Sequence, residues 1–453
     1  MYNLYVIIIT AIVLVILYRF YIAMNGKIKN FSITSLYCIY YIVFILIGSA
    51  LLNCCRFDAE EEFGVYSRPD VLLSVWMYSL LGLVFIFVGF AFSHIVNRNY
   101  SFKRKQRELV AQDITYVQSD FSKKSYSSIL MFSLVVLVAT LLYRNAIGRF
   151  PLESIFSGLS SMDLVLLRSD ATNGFEGKIY RYEMFMDELP LFLFILTAFI
   201  RKGSSKKKWS ILFYLLLAYN VFFALSTLQK APIINLIILA VILYAFIHKS
   251  IPKKHFILIL SAILGLIVLM YIFFMGNAEV PVSIILQGAA HRVFIGSIIP
   301  FYWYIIYVEQ TGFLFGTSFP NPAGILPFEH VPLTKEIALI GQSSGDAVGS
   351  MPTAFIGEMY VNFGVFGILF FCFLFGFLLQ TMDIYFTTRL AKKKTVLTCS
   401  IYVYFMFYFT KYATSPLSPI ILDTSLYMVL FFYFIYKSRT LYRRPKEIVQ
   451  GVA

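Results

Sequence analysis

His291 and Arg292 stand side by side in a stretch apolar enough to enter a membrane. A cation at membrane depth costs several kcal/mol unless it is paired or hydrated. Arg292 therefore snorkels, sits in a structural salt bridge, or grips a phosphate, whose oxygens match the guanidinium fork. On a helix the two side chains diverge by about 100°, so they can border one cleft without pointing along one line. Lys230 lies at a helix end, and Arg168 and Arg181 lie in a long loop. Together with Arg292 they are candidate contacts for a phosphate or pyrophosphate lipid. His330 follows Glu329 after a turn-rich run from Phe315 to Gly324, and Ser343-Ser344-Gly345-Asp346 comes later. These residues suit a general base or groups that orient sugar hydroxyls, and equally a solvated loop. Glu358 lies about a turn and a half into an apolar helix, with Asn362 one turn further on the same face. A carboxylate there can join two helices, hold a proton, or act as base for an acceptor hydroxyl. From the residues alone the structural pair is the favoured use. Gly357, Gly364 and Gly367 read as a stripe suited to close helix packing.

The elements that must position these residues are membrane helices. Of 453 residues, 59% are hydrophobic and only 14% charged, against about 25% charged in soluble domains. This excludes a soluble enzyme, a disordered chain and a disulfide-rich module. A span of ~30 Å of hydrocarbon needs about 20 apolar residues. Eleven segments qualify, near 3–24, 32–53, 71–95, 126–143, 185–200, 209–228, 231–248, 256–275, 353–382, 396–412 and 418–436. The segment 282–310 is apolar but carries His291 and Arg292 and is broken by Pro300. It reads as an interfacial or re-entrant helix, or as one buried against the bundle. The expected fold is an all-α polytopic bundle, one integral membrane domain over 1–453, with long outer loops at 144–184 and 276–352.

The net charge of +14 would suggest nucleic acid in a soluble chain, but its distribution gives topology instead. One face of the expected bundle holds 27 of the 38 Lys and Arg and 5 of the 24 acids; the other holds 11 and 19. The basic face is cytoplasmic by the positive-inside rule, placing the N-terminus outside and the C-terminus inside. Met1-Tyr2-Asn3 lacks a basic n-region, so a cleaved signal peptide is not expected. The chain has no Walker A loop, dinucleotide fingerprint or His-Glu-x-x-His, and its five histidines have no metal-ligand spacing. Neither a metal nor another cofactor is expected.

At three places the sequence resembles the Wzy-type O-antigen or oligosaccharide repeat-unit polymerases. The first is Leu225 to Asn235, where a small-polar run precedes Lys230; members of that family often carry Arg there. The second is His291 to Gly296, followed by a long loop. The third is the Pro-Thr-x-x-x-Gly-Glu-x-Tyr-x-Asn-x-Gly-x-x-Gly run from Pro352 to Gly367. The resemblance implies a GT-C-like glycosyltransferase in the bacterial cytoplasmic membrane. It would join undecaprenyl-pyrophosphate-linked oligosaccharide repeat units into a surface polysaccharide, without a metal or nucleotide. Such a reaction needs cations to offset the leaving pyrophosphate and a base near the acceptor hydroxyl. Arg292 and Lys230, with Arg168 and Arg181, are assigned to pyrophosphate; His291, His330 and Glu358 are rival bases. Implied partners are the lipid-linked oligosaccharide, membrane lipid, a chain-length regulator and a flippase. Alternative readings are an O-antigen ligase, a polyprenyl-phosphate-sugar-dependent transferase using Asp58 to Glu62, and a polysaccharide flippase or transporter.

Overall fold

The structure is a computed structural model. It describes residues 2–26, 31–57, 64–97, 123–154, 180–204, 206–248, 294–341, 350–392 and 395–442, together with residues 167, 254, 261, 265, 288 and 291. Among the described residues every regular element is helical. Seven helices are long and apolar enough to cross a membrane. Their outward faces are apolar too: α4 (Lys123–Ile147) exposes Leu130, Leu134, Leu137 and Leu141 while burying Ile129, Val136 and Tyr143. A helix apolar on both faces but covered on one has hydrocarbon as its natural surroundings. The chain is a polytopic helical membrane protein.

The seven are α1 (Tyr2–Asn25), α2 (Ile33–Cys54), α3 (Pro69–Val96), α4, α6 (Lys207–Ser226), α7 (Lys230–His248) and the long α10 (Phe355–Lys392). Each coincides with an expected span. Three more expected spans fall on helical stretches. One is α5, residues 180–203. Another is α11 (Val396–Tyr408), which continues as a 3-10 turn Phe409–Ala413. The third is α12 (Thr424–Tyr442), preceded by a 3-10 turn Ser418–Leu422. The expected span 256–275 lies almost wholly outside the described residues.

The chain forms two compact units. The first comprises residues 1–114, 241–393 and 405–421; the second comprises 115–240, 394–404 and 422–453. In the first unit α3 and α10 pack along each other, and glycine makes this possible. A Cβ on Gly89 would strike the backbone of Phe373 and Phe377, and one on Gly376 would strike the Ile86 carbonyl. Small residues let membrane helices approach closely where no hydrophobic force draws them together. Two shorter helices, α8 (Ile299–Thr311) and α9 (Leu333–Gly341), complete this unit. At 13 residues α8 is too short to span, and Phe301, Tyr302 and Tyr304 are buried as it packs on α3, α9 and α10.

The second unit is built around α5, which runs as a π-helix from Met184 to Glu188. The physical reason is close by. Pro190 has no N–H to give the Met186 carbonyl, which accepts the Tyr219 hydroxyl at 2.8 Å instead. Asn220 on α6 donates to the Pro190 carbonyl at 3.2 Å. The same π stretch carries buried Glu188, hydrogen-bonded by the Ser425 hydroxyl of α12.

Candidate functional site

The run from Pro352 to Gly367 does not form one straight helix. Gly364 has φ +63° and ψ −152°, a conformation close to glycine-only, and it breaks α10 into a short limb 355–363 and a long limb 365–392. The break is sharp. Phe371 stacks on Phe363, eight residues earlier, with ring centres 5.8 Å apart, where a straight helix would separate them by about 12 Å. Gly367 faces the Met359 carbonyl so closely that a Cβ would collide with it. Gly364 and Gly367 therefore do not line a straight packing stripe as expected. They make the bend, and the close helix contact falls to Gly89 and Gly376 instead.

A helix that stops leaves carbonyls without partners. Here the loop after α8 supplies them: Leu314 N–H donates to the Val361 carbonyl at 3.0 Å and Phe315 N–H to the Asn362 carbonyl at 3.1 Å. Asn362 completes the joint. Its Oδ1 accepts from Gly316 N–H at 2.8 Å, and its Nδ2 donates to Ser318 Oγ at 2.7 Å and to the Glu358 carbonyl at 2.8 Å. Tyr360 stacks on Tyr78 at 5.2 Å and meets Phe301 edge-on at 5.8 Å. The motif residues thus tie the short limb to α3, α8 and the loop from Gly312.

Glu358 sits inside this joint with 3% of its surface exposed. Its Oε2 accepts Leu417 N–H at 2.8 Å and Ser418 N–H at 3.0 Å, and its Oε1 takes the Ser418 hydroxyl. It therefore caps the start of the 3-10 turn Ser418–Leu422 from a distant part of the chain. The expected use of a carboxylate here was a pair between helices; the partner is a turn. Tyr304 lies nearby and donates to the Met351 carbonyl at 3.3 Å. Burial, then the Glu358 charge, pushes its phenol well above the usual range.

His330 belongs to the same joint. Its Nδ1–H donates to the Phe319 carbonyl at 3.0 Å, and Phe319 meets Phe363 edge-on. A carbonyl can only accept, so the neutral ring carries its proton on Nδ1 and keeps Nε2 as an acceptor. His291 has another setting, half-buried with its ring edge-on to Phe57 at 5.5 Å. Arg292 and Arg168 lie outside the described residues, as do Asp58 to Glu62 and Ser343 to Asp346. Lys230 and Arg181 are helical, but their side chains lie outside the description.

Several other cations on the expected outer face have local roles. Arg68 binds Asp70 at 2.7 Å and Glu309 at 3.2 Å, bridging the start of α3 to the end of α8. Arg144 binds Glu153 at 2.9 Å. Lys411 lies over the Tyr408 ring at 4.4 Å. Ser418 and Glu309 were not singled out by sequence reasoning, because partners 60 and 241 positions away leave no local pattern. Among the described residues no group of three or more His, Cys, Asp or Glu could hold a metal ion. No known protein family, curated protein or solved structure matches the chain.

Proposed function

We propose that this chain is a Wzy-type polymerase, a metal-independent glycosyltransferase with about eleven spans in a GT-C-like bundle. In this reading it lies in a bacterial cytoplasmic membrane and works on the outer face. It transfers a growing glycan from undecaprenyl pyrophosphate to a hydroxyl of the next lipid-linked repeat unit. The observation that carries the reading is the Pro352 to Gly367 motif, the longest stretch of resemblance. Within it Glu358, Tyr360, Asn362, Gly364 and Gly367 each have a physical task in one joint, so at these positions the likeness rests on a constrained structure rather than on composition.

Within this reading Arg292 and Lys230, with Arg168 and Arg181, neutralise the departing pyrophosphate. The three rival bases are no longer equal. Glu358 already receives three hydrogen bonds from residues 417 and 418, so it positions the joint. His330 is exposed, with Nδ1–H held by a backbone carbonyl and Nε2 able to accept a proton, which favours it as base for the acceptor hydroxyl. His291, against Phe57, is the second choice.

The test is deletion of the gene in a polysaccharide-producing host. A polymerase mutant displays a single capped repeat unit. Loss of surface glycan with lipid-linked polymer accumulating identifies a ligase, and repeat units retained inside identify a flippase; either outcome overturns the proposal.

A further inference from the structure

The loop between α8 and α9 presents apolar side chains outward from a rigid frame. Phe315 is 76% exposed and Ile325 77%, with Phe313 and Leu326 also exposed. The frame is well tied. Asn321 brackets the loop tip, its Oδ1 accepting Leu326 N–H at 2.9 Å and its Nδ2 donating to the Phe328 carbonyl at 2.6 Å. Val331 N–H closes the base on the Thr317 carbonyl at 2.9 Å. Phe315 itself has φ +49°, a left-handed conformation that bulky side chains rarely adopt. The hydrogen bonds from Phe315 and Gly316 to Asn362 hold it there. Backbone strain is thus maintained where the result is an outward-facing phenylalanine, an arrangement that water does not reward.

Two further observations say what lies against these side chains. From Gln310 to Phe328 the chain contains no charged residue, and Glu309 and Glu329 bracket the run. Phe313, whose ring meets that of Phe315, packs on Gly364 at the entrance to the long limb of α10. Immediately beyond, Phe366, Phe370, Leu374 and Leu378 form an exposed stripe at four-residue steps. In a membrane-spanning helix that stripe faces hydrocarbon. The loop's apolar side chains continue it past the helix end.

We propose that the loop 312–331 is a membrane anchor: Phe315, Ile325 and Leu326 enter the leaflet at the Phe366 end of α10. The occupant is bilayer lipid, because the run from Gly312 to Phe328 is uncharged and is joined to a lipid-facing helix stripe. The anchor fixes the depth of the Glu358–Asn362 joint relative to the bilayer, and with it His330. It does not depend on the polymerase reading.

The test is two-phase footprinting of the full chain in vesicles of phosphatidylethanolamine and phosphatidylglycerol. A photoactivated carbene precursor dissolved in the bilayer labels lipid-facing residues, and hydroxyl radicals label water-facing ones. For an interfacial loop, carbene labelling of Phe315 and Ile325 falls within about threefold of Phe366, and their oxidation about fivefold below that of the denatured chain. Oxidation at the denatured level, with labelling far below Phe366, overturns the anchor. Protection from both reagents also overturns it, because protein and not lipid would then cover the loop. In the double variant F315Q, I325Q, carbene labelling of the 312–331 peptide falls while that of Phe366 is kept; undiminished labelling of that peptide overturns the anchor.

Discussion

Glu358 is held as a cap, and its substitutions separate shape from charge. Glu358→Ala leaves two backbone N–H groups and the Ser418 hydroxyl without their acceptor inside the protein. A fully buried orphan costs about 1–3 kcal/mol, and residues 417 and 418 are half-buried, so a total loss of about 2 kcal/mol is expected in denaturant unfolding in mixed micelles. Glu358→Gln keeps an oxygen for both N–H groups and an amide beside Ser418, and recovers most of that stability. Equal losses in the two variants would show that the charge, not the cap, matters. His330 is exposed, so His330→Ala leaves the unfolding midpoint in place and shortens the glycan by most of its repeat units. Unchanged glycan length would remove His330 as the base. The shared face of Glu358 and Asn362 was legible at four-residue spacing. Their partners were not, since residues 417–418 and 315–318 come from other parts of the chain.

The two limbs of α10 show where element-level reading stops. Hydropathy located a span near 353–382, because apolar residues dominate it despite Glu358, Asn362 and Gln380. It could not show the break, because glycine is ordinary in membrane helices and only backbone angles reveal Gly364 as left-handed. Gly364→Ala places a Cβ in a region closed to side chains and 3.1 Å from the Phe313 ring, for a cost of about 2 kcal/mol. Gly89→Val meets backbone rather than a movable ring, so it costs more and separates α3 from α10. Unfolding of both variants under the same conditions checks the order; a more stable Gly89→Val than Gly364→Ala contradicts it. Gly89 and Gly376 were hidden in sequence, since their task appears only when the helices face each other.

At the scale of the molecule, charge and hydropathy made the membrane class legible. Apolar runs marked all seven long helices, and three more expected spans fall on shorter or interrupted ones. A π-helix from Met184 to Glu188 and 3-10 turns near residues 409–422 divide those three, which hydropathy averages over. The skew of 27 Lys and Arg to one face predicts sidedness. In a chain with Cys54 and Cys55 replaced by serine, a membrane-impermeant maleimide applied to intact cells labels a cysteine placed beside Met1 and leaves one placed at 103–107 unlabelled; the reverse pattern inverts the topology. The chemistry rests on the polymerase reading, whose most direct measurement is the surface glycan of a producing strain lacking this gene. Gel analysis is predicted to show one repeat unit on the acceptor, with the full ladder restored by the intact gene and not by Arg292→Ala. A normal ladder without the gene, or surface glycan lost while lipid-linked polymer accumulates, would contradict the account.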